Sequence, residues 1–521
     1  MLSFRSRHTH DPKNGENVLS AKNIRDLLNV GSKNDVAFTA PDKPPCSYEA
    51  LVKHVDQIGA ELASQGLTNS DRVAIVLPNG PEMATAFLAV SSYMSAAPLN
   101  PAYKQSEYEF YLEDLNPKLV IVEESSTNPV RNAALKLSIP VAEIKVAEHA
   151  AAGIFSLFDS TQSINLPTVQ TEALVLHTSG TTSRPKVVPL TQANLVASAF
   201  NISNTLKLRD SDHSLNIMPL FHIHGLIAVL CASISAGGSV CCTAGFNALK
   251  FYELAKSEKI TWYSGVPTMH QAILQRGKRQ TDAAKALKLR FIRSSSASLP
   301  PAVFGELTEL FECPVIEAYG MTEATHQMTS NPLPPEKQKA GFVGLPAGPK
   351  VCIMDLVGNQ LEKGQEGEVC IQGDNVTPGY DKNPEANNQS FTNGWFRTGD
   401  QGVFDEDGYL KITGRLKEII NRGGEKISPL EIDNVLMEHP SIQQVVSFAV
   451  ADKSYGEEIG VAIVLGDGKQ LSESELKSYA NDRLARFKIP KHICFVEEIP
   501  KGATGKMQRI GLAKKLGLED R

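Results

Sequence analysis

Short apolar runs that alternate with helical patterns set the tightest limit on what this chain can become. "RVAIVLPNG" at Arg72 to Gly80 reads as a buried strand ending in a turn. "PEMATAFLAVSSYMSA" follows it as a helix with proline in its first turn. "KLVIVEE" from Lys118 is the next strand, and "ITWYSGVP" from Ile260 is another, with a helix beginning near Thr268. "LRFIRSSSASLPPAVFGELTELF" repeats the order as strand, serine-rich turn and helix. Ser298, just before Leu299-Pro300-Pro301, is expected to cap that helix. Such alternation predicts α/β layers with parallel strands. In sheets of that kind, ligands bind beyond the carboxyl ends of the strands.

The texture changes after about Gly341. Short segments such as "GEVCIQG" and "DEDGYLKITG", rich in turn residues, suggest antiparallel strands and a small barrel. From about Leu416 a compact unit begins, with strands near Val445, Val461 and Ile493. In "SESELKSYANDRLARF", Ser472 and Glu475 form a capping box, and Leu476, Tyr479, Ala480 and Leu484 form an apolar stripe. The expected class is α/β, with a large N-terminal domain over 1–415 and a small C-terminal α+β domain over 416–521. The length of 521 residues leaves room for roughly three or four domain-sized units.

Composition removes several function classes. The net charge of −6 argues against broad nucleic-acid or membrane-surface binding, so an anionic ligand must be held by local groups. The uncharged stretch from Gly225 to Phe246 is long enough to span a bilayer. Its Ser, Ala, Gly and Cys content and the Gly237-Gly238 break favour a buried helix, a turn and a strand instead. Eight scattered cysteines with no C-x-x-C pair read as buried thiols in a reducing compartment. The polar start and the ending Leu518-Glu519-Asp520-Arg521 carry neither a signal-peptide core nor a Ser-Lys-Leu address, which leads to an expectation of the cytoplasm.

"LHTSGTTSRPK" from Leu176 to Lys186 crowds hydroxyls, one glycine and two cations into a loop after an apolar run. It lacks the G-x-x-x-x-G-K-[ST] spacing, so by itself it is either a different phosphate grip or a polar turn. Downstream come "EAYGMTE" (317–323), "WFRTGD" (395–400), "GRLKEIINRGGEKISPLEID" (414–433) and "PKGATGKMQR" (500–509). In this order the five motifs resemble the adenylate-forming superfamily of acyl-CoA synthetases, luciferases and peptide-synthetase adenylation domains. The likeness spans nearly the whole chain. "HTSGTTSRPK", "SSSASL" and "MTEATHQMTSNPLP" are most similar to the plant and fungal oxalate–CoA ligase group.

The resemblance implies a two-step ligase. A carboxylate attacks the α-phosphorus of ATP, and the thiol of coenzyme A then displaces AMP. It implies that Thr178, Ser179, Gly180, Thr181, Thr182, Ser183 and Lys186 wrap the phosphates, although many relatives carry glycine where Ser183 and Val187 stand. Tyr319 and Gly320 would face adenine, Thr322 a phosphate, and Glu323 a Mg²⁺ ion. Asp400 would take the ribose hydroxyls, with Arg415 beside them. Lys417 would be the hinge of a mobile C-terminal domain. Lys506 would be the cation that reaches carboxylate and α-phosphate. His222 in "PLFHIHG" resembles a gate beside the acyl site, with an ordinary buried histidine as the alternative. The 423–426 turn would close on the site and help line the pantetheine channel.

For the acid itself, "RSSSASL" stands where many relatives have Gly and Ala. Ser295, Ser296 and His326 are therefore expected donors to a second carboxylate, which cannot be buried without partners. The reading is a ligase using ATP, Mg²⁺ and coenzyme A, with oxalate as the acid. A ligase for medium-chain or aromatic acids is the alternative, and a catalytically silent nucleotide-binding protein is the alternative of another class.

Overall fold

The computed structural model describes residues 21–178, 185–501 and 507–518. The chain forms two compact units, one of Met1–Val175, Leu190–Ser214 and Leu226–Ala244, the other of Leu176–Pro189, Leu215–Gly225 and Gly245–Arg521. The expected boundary at 415/416 falls inside the second.

The first unit is built on parallel strands, as the apolar runs require. Arg72–Val76 lies between Ser95–Pro98 and Leu119–Glu123, and Val141–Ile144 continues the sheet. Helix Pro81–Tyr93 is buried along almost its whole length. It stops earlier than its sequence suggests. Met94 turns extended, and Ser95–Pro98 leaves as a strand paired to Arg72–Ile75. Small side chains let that strand pack on both faces, which a helical pattern in the sequence conceals. Nearby, Val36–Thr39 pairs in parallel with Ser239–Cys242.

The stretch after His224 is a π-helix to Cys231, a short α-helical turn to Ile234 and, after Gly238, the strand Ser239–Cys242. No helix among the described residues is long and apolar enough to cross a membrane. All eight cysteines are free, and six are buried.

In the second unit, Trp262–Gly265, Phe291–Ser294 and Val315–Met321 run parallel. Their carboxyl ends lie side by side, the position where such sheets present ligand groups. His326–Ser330 then returns antiparallel to Val315–Met321. Helix Pro301–Phe311 begins after Pro300 without a side-chain cap, so Ser298 does not cap it. Pro301 starts the helix with a fixed φ and no N–H to satisfy. The glycine-rich region forms a five-stranded antiparallel sheet with Trp395–Phe404 and Leu410–Arg415 as neighbours.

Residues after Arg415 add a third sheet, dominated by the hairpin Ile442–Asp452 and Gly456–Leu465. Helix Glu473–Asn481 carries the expected capping box, Ser472 accepting from the Glu475 N–H and Glu475 accepting from the Ser472 N–H. Leu476, Ala480 and Leu484 enter the core there, with Tyr479 packed on it.

Candidate active site

The strand Val315–Met321 and the sheet behind it bring the nucleotide candidates together. Asp400 and Arg415 face each other across the antiparallel ladder. Arg415 Nε donates to Asp400 Oδ1 at 2.6 Å, and the Tyr319 hydroxyl donates to Asp400 Oδ2 at 2.5 Å. The Asp400 N–H in turn donates to Thr398 Oγ1 at 3.1 Å. Burial opposes the Arg415 charge, but Asp400 outweighs it and holds the guanidinium pKa above its usual value. Burial and the same carboxylate push the Tyr319 phenol well up, so it stays protonated and donating. Gly320 has no alternative here, because a Cβ would sit 1.9 Å from the His326 carbonyl oxygen.

A second cluster joins the base of the hydroxyl-rich loop to the turn Thr322–Ala324. The Thr178 N–H donates to the Lys186 carbonyl at 2.9 Å, and the Lys186 N–H to Thr178 Oγ1 at 3.3 Å, so the loop's two ends are clasped. Ser179, Gly180, Thr181, Thr182 and Ser183 lie outside the described residues, as does Lys506. Beyond Lys186 the chain is stitched to the 377–381 segment: Asp381 N–H donates to Val187 O, and Thr377 Oγ1 donates to Pro189 O. That places Lys186 Nζ over the Tyr380 ring, 4.2 Å from its centroid. The Tyr380 hydroxyl donates to Glu323 Oε1 at 2.8 Å. Burial raises the Glu323 pKa, and burial lowers that of Lys186, while Glu323 and Lys417 act on Lys186 in opposite senses. Glu323 and Thr322 present hard oxygen donors on one turn, which suits a small divalent cation that also takes phosphate oxygens.

A cavity of about 330 Å³ adjoins the Tyr319–Asp400–Arg415 cluster, with Ser296, Glu317 and Arg509 also among its walls. Glu317 Oε1 accepts from the Leu299 N–H at 2.9 Å, while Oε2 has no hydrogen-bond partner. Burial pushes its pKa up to about 8, against the pull of the Leu299 and Gly341 N–H groups. Arg509, three residues after Lys506, is held by Asp433 Oδ2 at 2.8 Å and Glu418 Oε2 at 3.1 Å.

The acid-pocket candidates separate. Ser295 spends its hydroxyl on the Ala318 carbonyl at 2.9 Å and is wholly buried. Ser296 instead meets His224 Nδ1 at 3.0 Å. His224 Nε2 lies 2.6 Å from Ser264 Oγ, and the His326 ring is 4.9 Å from the His224 ring. His222 is only half-buried, and its Nδ1 accepts the His224 N–H at 3.2 Å. Behind them Arg293 is fully buried. It donates to Ser264 Oγ at 3.4 Å and Gln327 Oε1 at 3.3 Å, and its Nε has no partner. Burial pushes its pKa down to about 9, which leaves it charged at neutral pH. Sequence reasoning missed Ser264, Arg293, Tyr380 and His224; His222, expected as a gate beside the acyl site, is half-buried, and it is His224 that is buried.

The AMP-binding enzyme family matches residues 30–381, and its C-terminal domain family matches residues 431–506. The chain belongs to the AMP-binding enzyme family. This family member is 46% identical over 497 residues to an oxalate–CoA ligase of Arabidopsis thaliana, covering 93% of this chain and 96% of that one. It is 43% identical over 526 residues to an oxalate–CoA ligase of Saccharomyces cerevisiae, covering 95% and 93%. Among solved structures, ATP-bound MatB from Rhodopseudomonas palustris superposes with a TM-score of 0.86 at 27% identity, over 95% of this chain and 98% of that one. Asp400 and Tyr319 lie together in the wall of the cavity, a carboxylate beside an aromatic ring.

Proposed function

We propose that this acyl-CoA synthetase joins oxalate to coenzyme A, with ATP cleaved to AMP and pyrophosphate. One observation carries the choice of acid. Ser296, in the wall of the cavity that Tyr319 and Asp400 also line, is hydrogen-bonded to the buried His224, whose ring lies against His326, and behind them is an arginine with no acidic partner among the described residues. Two relatives similar over nearly their full length, both oxalate–CoA ligases, support the same reading.

In this scheme Tyr319 packs on adenine and Asp400 takes the ribose hydroxyls, with Arg415 balancing its charge. Residues Thr178 to Lys186 hold the phosphates, and Thr322 adds a hydroxyl. Glu323 would hold Mg²⁺, which supplies charge neutralisation on the phosphates. Ser296 and His326 donate to the distal carboxylate of oxalate, and His222 stands at the pocket's edge. Lys506 brings a cation to the reacting carboxylate and α-phosphate, a role suited to a compact charge on a long stem. The segment after Arg415 acts as a separate lobe, turning at Lys417 between the half-reactions. Its 423–426 turn faces the thiol's path. The eight free thiols support a reducing compartment, the cytoplasm.

A coupled AMP-release assay over a panel of acids, with and without coenzyme A, tests this. Oxalate should exceed acetate, octanoate and coumarate by at least about tenfold in kcat/KM, the discrimination expected when a site built for a polar group meets a ligand lacking it. Equal activity across the panel removes oxalate. Absence of pyrophosphate exchange with every acid removes the ligase.

A further inference from the structure

We propose that Arg293 sets the direction of a hydrogen-bond relay, through Ser264 and His224, that leaves the Ser296 hydroxyl as a donor to the second carboxylate of the acid substrate. This deepens the oxalate reading and rests on it for the identity of the acceptor.

A guanidinium has donors and no acceptor. Arg293 therefore donates to Ser264 Oγ, and Ser264 can give its own hydrogen only elsewhere. Its hydroxyl has one other partner among the described residues, His224 Nε2 at 2.6 Å. A buried hydroxyl hydrogen must be satisfied, so Ser264 donates to Nε2. Nε2 is then the acceptor nitrogen of a neutral imidazole, and the ring proton sits on Nδ1. Nδ1–H donates in turn to Ser296 Oγ at 3.0 Å. Ser296 has spent a lone pair and kept its hydrogen, and that hydroxyl is at the wall of the cavity. A protonated His224 would break the sequence, because Ser264 would lose its acceptor, and the neighbouring guanidinium disfavours a second cation.

Two further features mark this corner as built for a purpose. Ser296 has φ +75° and His326 φ +95°, in the left-handed region that costs a side chain energy. Such strain gathers at ligand sites, where surrounding structure holds it. Arg293 is wholly buried with no carboxylate against it. Its contacts are long and few for a group with five donors, so its charge is not cancelled by the protein. A relay that starts on an uncancelled cation and ends on a hydroxyl donor is a receptor for an anion. Arg293 is a positioning residue in this scheme, and Ser296 is the one that touches the acid.

The first test does not depend on activity. In the full-length enzyme labelled with ¹⁵N-histidine, and with the signal assigned by comparison with His224→Gln, His224 should be the Nδ1–H tautomer. Ser264→Ala, which removes one small hydroxyl, should move it to Nε2–H. An Nε2–H tautomer in the unaltered enzyme overturns the relay, whatever acid the enzyme uses. The second test is kinetic. Ser296→Ala and Ser264→Ala should each lower kcat/KM for oxalate by about 10- to 100-fold, the range for losing a hydrogen bond to a charged group. The KM for ATP should change less than twofold. Equal losses for oxalate and ATP, or no loss for oxalate, overturn it. An enzyme with the Nδ1–H signature and no activity on oxalate would retain the relay and discard oxalate.

Discussion

The two ends of the site are made from different chemistry. At the nucleotide end the ions are already paired in the folded chain: Asp400 with Arg415 and Tyr319, and Glu323 with Tyr380. At the acid end a guanidinium is bonded to a hydroxyl and a side-chain amide and meets no acid among the described residues. A partner offsets part of the cost of burying an ion, and under the proposed function it would give way to a ribose hydroxyl or a metal. A buried cation without an acid is costly and is relieved by a ligand that brings the missing charge. The first end therefore stands formed before substrate arrives, and the second is completed by it.

Substitutions can break that contrast. The largest effect belongs to Lys506→Ala, which should abolish adenylate formation and leave thioester formation from supplied acyl-adenylate intact; loss of both half-reactions in equal measure would refute its role. Next is Asp400→Ala, which strands Arg415 and Tyr319. The ATP dissociation constant should rise by about 100-fold, in keeping with breaking a buried pair, and calorimetry would read it. The oxalate KM should move far less. If both constants move together, the two ends are not separable. His326→Ala reverses the pattern. The oxalate KM should rise by about 30-fold while the ATP KM stays within twofold, the size of one lost charge-assisted hydrogen bond.

The smallest effect sharpens the contrast through stability. Glu317 is held protonated by burial, with a pKa near 8 in the folded chain against 4.5 when free. Between those values the folded state keeps a proton that the unfolded state has lost. Stability therefore falls as pH rises through that window and levels off above it. Glu317→Gln keeps the acceptor for the Leu299 N–H and removes the titration. Its Tm advantage over the unaltered protein should be larger at pH 8 than at pH 5, by about 3 °C. Thermal melts at the two pH values decide this, and a constant difference would mean that Glu317 is ionised in the fold.

Much of this was legible in the chain, and the exceptions have a common cause. Strands such as Arg72–Val76 and the capping box at Ser472 are written in contiguous residues, so local pattern suffices. Tyr319, Glu323, Asp400 and Arg415 sit in short motifs, and the fold joins Tyr319, Asp400 and Arg415 in one hydrogen-bonded cluster, with Glu323 in the next, bonded to Tyr380. Ser264, His224, Arg293 and Ser296 come from separate strands and turns, 40 residues apart between Ser264 and His224 and 72 between His224 and Ser296. Ser264, His224 and Arg293 have no local pattern that distinguishes them from core residues, whereas Ser296 was marked by its serine run. Ser298 was misjudged for a different reason, since a serine before prolines is the usual cap, and here Pro301 starts the helix without one. Ser295 and Ser296 are adjacent, yet the left-handed backbone at Ser296 points them to different partners, which no reading of side-chain type could foresee.

The rung that ends the Asp400–Arg415 ladder has a mechanical outcome. The Leu416 N–H donates to Gly399 O at 2.9 Å, and the chain then folds back as the Glu418 and Ile419 N–H groups bond to Arg415 O. A pivot at Lys417, as proposed above, would start one residue beyond the last fixed rung, so that Arg415 would stay with Asp400 while the segment beyond it turned and AMP would keep its seat between the attack on its phosphorus and the attack of the thiol on the acyl carbon.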